Sequence, residues 1–400
     1  MNNRKSEITD ISLSNEGLKR LEWVRERMPI LRHLKDELAK TKPFESIKIG
    51  ICLHVEAKTG IWLETLLAGG AEISITGSPG TTQDEVAATL VKKYGIEVFA
   101  RREETLEDHL NFAEKVLESN PDLIADNGAD LHALISTNPK FSHLKTKLIG
   151  ATEETTTGGF RLNEEFGEQT FPTIVINDSR AKRIIENRYG VGQSVVDGIM
   201  RCTNILLGGL KVAVIGYGFC GRGTAICLRN LGSHVTVVEI DPLTQLDALL
   251  EGFKVVDLDE AIAENDLIVT VTGRSGVLKK EHFIKLKDGA ILANAGHFAS
   301  EMDIEALFEI SEKHTKIRPH IESFEFKNGD KLFLLSKGNP VNLAGGDGNP
   351  IEVMDLGLAL QTLSLIHLIE NANSMNNKSQ NVPSSVERVV SKMALKAWTS

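Results

Sequence analysis

The sequence predicts an α/β protein with two doubly wound parallel-sheet domains, each sheet sandwiched by helices. Three observations carry this. Residues 212–239 read as strand, glycine turn, helix and strand; residues 47–125 alternate short strands with helices; and a further set of strands follows residue 254.

The first observation is the most specific. A buried strand over 211–215 runs into Gly216, Gly218 and Gly221. The first glycine permits a tight turn, the second lets backbone approach a pyrophosphate, and the third lets a helix pack close to the sheet. That helix aims its free N–H groups and positive dipole end at phosphates. Glu239, at the end of the next strand, suits a ribose 2′-OH and repels a 2′-phosphate, which favours NAD over NADP. This half is therefore expected to be a Rossmann NAD-binding domain.

The remaining elements follow in order. A helix is expected over 14–40, from the apolar spacing of Leu18, Leu21, Val24, Met28, Leu31, Leu34 and Leu38, ended by Lys42-Pro43. Strands over 47–53, 72–76, 97–100 and 123–125 alternate with helices over 61–67, 84–93 and 106–117. Ligands of such sheets sit beyond the carboxyl ends of the strands, where His54, Ser78, Thr82, Gln83, Asp126, Asn127 and Asp130 fall. Residues 151–158 and 175–182 are polar without periodicity, too rich in carboxylate, hydroxyl and ammonium groups for a flexible linker. Thr155, Thr156 and Thr157 read equally as a capped turn or a ligand site. Later strands are expected at 255–256, 267–272 and 290–293, with Thr272, Asn294 and His297 just past their ends. A shorter alternation over 315–335, a long apolar helix over 351–370, a loop over 371–383 and a short final helix complete the chain. The expected domains are 1–188 (substrate), 189–345 (cofactor), 346–376 (a helix returning to the substrate domain) and 377–400 (a tail).

Composition sets the outer bounds. Four hundred residues suffice for two cores, and 41% hydrophobic with 25% charged residues is that of a soluble globular protein. No apolar run of membrane-spanning length is evident, and the N-terminus lacks the apolar core of a signal peptide, so the cytoplasm is expected. A net charge of −10 argues against nucleic acid as a partner. The cysteines, Cys52, Cys202, Cys220 and Cys227, have no metal-ligand pairing; they are expected to be reduced thiols, and no metal is expected.

The stretches Cys52-Leu-His54, 78–84, 150–158, Asn177-Asp-Ser179, Tyr189-Gly190, 193–198, 216–223, 294–298 and Asn342-Leu343 together resemble S-adenosylhomocysteine hydrolases over nearly the whole length. The resemblance implies a tightly bound NAD that oxidises the ribose 3′-hydroxyl. A ketone at C3′ acidifies C4′, which allows elimination of homocysteine, addition of water and reduction back. It implies that Lys182 and Glu186 take the 3′-OH proton, that Glu154 and Asn187 hold the ribose hydroxyls, that His54 serves as acid and base near C5′, and that His297 contacts the ribose. Thr155, Thr156, Thr157, Asn187, Thr272, Glu239, Asn294 and Asn342 resemble cofactor contacts; Glu56, Lys58, Thr59 and Asn349 fall at substrate positions. A homo-oligomer, dimer or tetramer, is also implied.

Departures accompany the resemblance. Asn127 replaces an aspartate, and an amide cannot carry a proton where positioned acid–base groups supply roughly 10²–10⁴-fold in rate. Glu186 replaces an aspartate, Val191 a Cys or Thr, and Asn349 a histidine near the purine. Lys58 stands where some relatives have a glutamate, and a lysine donor suits a 6-oxo purine. The family's C-terminal Lys and Tyr have no counterpart in 397–400. The leading expectation is reversible hydrolysis of S-adenosylhomocysteine. The alternatives are elimination or hydrolysis on another nucleoside, such as S-inosylhomocysteine, and a non-catalytic NAD- or nucleoside-binding regulator; a dehydrogenase with exchangeable NAD is a further one.

Overall fold

Both sheets form from short segments whose apolar residues are buried on two faces, the pattern that a parallel sheet covered by helices demands. The structure is a computed structural model describing residues 6–166, 169–296 and 299–399. Its contacts divide the chain into two units, Met1–Lys182 with Ile351–Ser400, and Arg183–Pro350.

In the first unit the strands are β1 (Lys48–Cys52), β2 (Glu72–Thr76), β3 (Glu97–Phe99), β4 (Leu123–Asp126), β5 (Gly150–Glu153) and β6 (Thr173–Val175). With Ser379–Asn381 paired to β6 at one edge, the order is β6-β5-β4-β1-β2-β3, and every pairing is parallel. The winding direction reverses between β1 and β4, so their carboxyl ends flank a crevice.

Three elements here differ from expectation. The helix over 14–40 is two helices, Ser14–Glu26 and Pro29–Thr41. Pro29 has no N–H to continue the first but suits the opening turn of the second. The 371–383 loop contains the Ser379–Asn381 strand, and the last helix, Ser384–Thr399, runs for 16 residues. It buries Val386, Val390 and Ala394, and Glu387 accepts a hydrogen bond from the Ala181 N–H at 2.7 Å. Residues 377–399 thus pack into the first unit rather than forming a tail.

The return helix, Ile351–Asn371, corrects another expectation, because it begins a stretch, Ile351–Ser374, long and apolar enough to cross a membrane. Its polar residues show what it does instead. Asp355 accepts the N–H groups of Ile30 and Leu31, each at 2.8 Å, and Thr362 accepts the Trp62 indole N–H at 2.9 Å. Two-thirds of its most apolar 18 residues are buried, as in a core helix.

The second unit contains β7 (Lys211–Ile215), β8 (His234–Val238), β9 (Lys254–Val255), β10 (Leu267–Thr270), β11 (Ile291–Asn294), β12 (Lys313–Arg318), β13 (Ile321–Glu325) and β14 (Lys331–Leu335). Six of them run parallel in the order β9-β8-β7-β10-β11-β14, the Rossmann arrangement. β12 and β13 extend it as an antiparallel meander where a further alternation was expected. Apolar clusters cover both faces, one around Val212, Val214 and Val269, the other around Ala213, Ile215 and Ile268. The divides at 182/183 and 350/351 lie a few residues from the expected 188/189 and 345/346.

Candidate active site

In the second unit the glycine turn follows β7. Gly216 has φ +101°, a conformation that side chains resist. A Cβ on Gly221 would stand 2.0 Å from the Gly216 carbonyl oxygen, whereas a Cβ on Gly218 would meet nothing within 4 Å. The turn is therefore tight below and open above, at the N-terminus of the Phe219–Asn230 helix, as a pyrophosphate requires. Glu239 accepts the Tyr217 N–H at 2.8 Å and those of Ile240 and Asp241 at 2.7 and 3.1 Å. A carboxylate has about four lone-pair sites, so capacity remains for ribose hydroxyls. The Tyr217 hydroxyl donates to Glu251 at 2.6 Å, pinning the turn from beneath. These features fit NAD.

Beyond β10, Thr272 donates its N–H and hydroxyl to the buried Glu301 at 3.1 and 3.0 Å, and Gly273 its N–H at 2.7 Å. Burial raises the Glu301 pKa against the pull of those donors. Asn294, at the end of β11, is fully buried; it donates to the Gly338 carbonyl at 2.8 Å and accepts the Gly296 N–H at 2.8 Å. His297 lies outside the described residues. Asn342 donates to Ser194 at 3.3 Å, Ser194 to Asn349 at 2.9 Å, and Asn349 to Glu186 at 3.2 Å. Asn349, expected near a purine, thus belongs to a row ending on Glu186, and Ser194 is a member that the sequence did not single out. Glu186 and Asn187 are buried on a π-helix, Lys182–Gly190.

The first unit holds the other polar cluster. Past β5, Glu154 accepts the Lys182 ammonium at 2.9 Å, both groups nearly buried. Gln361 donates to the other Glu154 oxygen at 2.5 Å and accepts the Thr152 hydroxyl at 2.8 Å. Neither Gln361 nor Thr152 was expected; the signal was a glutamine inside an apolar helix. Thr155 caps the Thr156–Glu164 helix, its hydroxyl accepting the Gly158 N–H at 2.9 Å and donating to Glu153 at 2.8 Å. The capped turn is thus present. Thr156 is exposed and Thr157 buried in the first turn. Glu153 also takes the Gly128 and Ala129 N–H groups, each at 3.0 Å, and burial together with Asp126 raises its pKa to about 8 against those donors.

At the β1 end, Nδ1 of His54 lies 3.0 Å from the Thr81 hydroxyl, whose own proton goes to the Ser78 carbonyl at 2.7 Å. Nδ1 must then donate, which leaves the lone pair of the neutral ring on Nε2. Glu56 caps the Ala57–Ala68 helix through the Lys58 N–H and pairs with the Lys58 ammonium, both at 2.9 Å. Its carboxylate is thus committed rather than available to replace the missing aspartate. Thr59 is buried one residue on. At the β4 end Asn127 is buried, and its Oδ1 accepts no hydrogen bond from the described residues.

A Rossmann turn built for a dinucleotide, in a chain whose other doubly wound unit holds a buried lysine–carboxylate pair, defines a nucleotide-cofactor enzyme of two α/β units. The chain belongs to the S-adenosyl-L-homocysteine hydrolase family. Residues 5–144 match that family's description, and residues 187–348 match that of its NAD-binding domain. The cofactor is NAD. Among curated relatives, an S-inosyl-L-homocysteine hydrolase of Methanopyrus kandleri is 44% identical over 98% of this chain and 92% of its own length. An adenosylhomocysteinase of Sulfurisphaera tokodaii is 43% identical over 97% and 93%, and one of Aquifex aeolicus 43% over 98% and 94%.

Proposed function

We propose that this protein catalyses the NAD-dependent, reversible hydrolysis of S-adenosylhomocysteine to adenosine and homocysteine. The observation that carries the reading is the buried Lys182–Glu154 pair in a chain whose other unit is built for NAD. Bound NAD supplies a hydride acceptor for C3′ and later returns the hydride. The protein's own groups move the protons. Lys182 acts as a neutral amine, its ammonium proton first passing to Glu154, and with Glu186 takes the 3′-OH proton as the ketone forms; Glu154 and Asn187 hold the ribose hydroxyls. Loss of the C4′ proton then breaks the C5′–S bond and releases homocysteine. Water adds at C5′, and C4′ regains a proton. His54, with its Nε2 lone pair set by Thr81, accepts a proton as C4′ loses one and passes it to the leaving thiolate, then takes the proton of the entering water as C4′ regains one. Asn127 offers an acceptor that orients water, without carrying its proton.

The test is incubation with S-adenosylhomocysteine in D₂O, followed by mass spectrometry. Adenosine deuterated at C4′ is expected; an absence of both conversion and exchange would refute the reading.

A second reading, hydrolysis of S-inosylhomocysteine, is favoured by Lys58. Its ammonium is 5% exposed as a residue and held by Glu56, an arrangement that offers a donor to a 6-oxo purine. The ratio of kcat/KM for the two thioethers decides between them. The protein is further proposed to act as a cytoplasmic homo-oligomer, a reading supported by its four free cysteines and by Leu243, Leu246, Leu249 and Leu250, all exposed on one short helix. Sedimentation of the purified chain tests the oligomer.

A further inference from the structure

The return helix contributes a side chain to the chemistry as well as to the core. Gln361 is 1% exposed, in a helix whose buried residues are mostly apolar, with Asp355, Thr362 and Ser364 as its other buried polar ones. A buried amide there is costly unless both ends are satisfied. Both are: the Thr152 hydroxyl lies 2.8 Å from Oε1, and Glu154 Oε2 lies 2.5 Å from Nε2. The carboxylate fixes the orientation, since a flipped amide would face oxygen against oxygen. Thr152 is fully buried, and its hydroxyl holds the amide in the same sense. The other Glu154 oxygen faces the Lys182 ammonium at 2.9 Å.

Thr152, Gln361, Glu154 and Lys182 therefore form a continuous row of hydrogen bonds that reaches the lysine. The neighbouring carboxylate, Glu153, takes no part. It points to the opposite side of the strand and is held by the amides of Gly128, Ala129 and Thr155.

We propose that Gln361 is a positioning residue for the proton-transfer lysine: its N–H holds the Glu154 carboxylate in the orientation that keeps Lys182 aimed at the 3′-hydroxyl. The proposal rests on the function given above. In that reading C3′ loses a hydride to the cofactor and O3′ loses a proton to the lysine, so the residue acts on the second transfer alone. Without the amide, Glu154 is free to turn about its terminal torsion, and the lysine loses its fixed partner.

The test uses the full-length, NAD-loaded protein with Gln361→Met and Gln361→Glu. Methionine fills the volume without a donor. A glutamic acid donates its O–H as the amide does while protonated, and repels Glu154 once ionised. Cofactor reduction upon mixing with saturating nucleoside thioether is expected to slow roughly tenfold in Gln361→Met at every pH. Gln361→Glu is expected to approach wild type at acid pH and to fall away as pH rises, a dependence that a space-filling role would not produce. A second readout needs no substrate. In protein carrying isotope-labelled lysine, the Lys182 amine, assigned with Lys182→Arg, is expected to titrate at lower pH in Gln361→Met and at higher pH in Gln361→Glu. Wild-type rates together with an unshifted Lys182 titration in both folded variants would overturn the proposal. If the wild-type chain reduces no cofactor with any nucleoside thioether, the proposed function fails, and the lysine titration still decides the part played by Gln361.

Discussion

The two units wind their parallel strands in the same order, yet the crevices at their reversal points are filled differently. After β7 the chain makes a glycine turn with open space above Gly218, and the following helix leaves its N-terminus to a ligand. After β1, the equivalent helix is capped from within by Glu56, whose carboxylate also holds Lys58. One helix end is thus kept for phosphate and the other already carries its own anion. Topology provides a crevice in each unit; the first turn after the first strand decides whether a dinucleotide can enter it. In the first unit the polar groups gather instead at the ends of β1, β4 and β5, where His54, Asn127 and Glu154 stand.

The largest expected effect separates the two roles. Lys182→Ala should lower turnover by roughly 10²–10⁴-fold, the range for a positioned acid–base group, while NAD remains bound. Cofactor released by denaturation measures the second half of that statement, and loss of NAD together with activity would break the division of labour. Glu56→Ala should come next. It removes a helix cap and takes the carboxylate from a buried ammonium, which costs about 3 kcal/mol or more and should show as a lower melting temperature. In the second unit two alanines sharpen the contrast. Gly221→Ala forces a methyl against the Gly216 carbonyl and should destabilise by about 1–3 kcal/mol. Gly218→Ala meets no atom of the described residues within 4 Å, so folding should hold within about 0.5 kcal/mol while NAD affinity falls. Equal stability losses in the two variants would refute the assignment of the open side to the pyrophosphate.

How far the sequence spoke for itself follows the same division. The glycine turn and Glu239 were legible because a local run of residues carries the whole motif. The first unit's site was legible at the strand ends but not in the elements that support it. β5 reads Gly-Ala-Thr-Glu and is buried throughout, because Thr152 is satisfied by Gln361 and Glu153 by the amides of Gly128 and Ala129. Partners so distant in sequence leave no periodic trace, and the segment reads as polar and irregular. Ser379–Asn381 is an edge strand of three polar residues with no apolar alternation to announce it. The break at Pro29 was visible, but the apolar spacing runs through it in phase. Asp355, Gln361 and Thr362 in an apolar helix were a signal of buried partners that composition alone could not assign.

The remaining effect is a pH dependence confined to the first unit. His109 on the Leu106–Glu118 helix lies 3.0 Å from Asp130 and 3.6 Å from Glu104, with the Cys52 thiol nearby and Arg161 on the other Asp130 oxygen at 2.8 Å. Burial works against its charge, but the two carboxylates outweigh it and raise its pKa to about 9. A histidine whose folded pKa lies above the unfolded value, about 6.5, contributes stability that is complete below that value and is lost as pH rises through the folded pKa. The first unit should therefore soften between about pH 6.5 and about pH 9, by roughly 2–4 °C for each kcal/mol lost. Asp130 begins the helix that follows Asn127, so the softening should appear first as faster amide exchange around residues 126–132. His109→Gln should remove the pH dependence and leave the second unit's exchange unchanged. If the wild-type midpoint does not move across that window, the charge on His109 is not part of what holds the β4 turn.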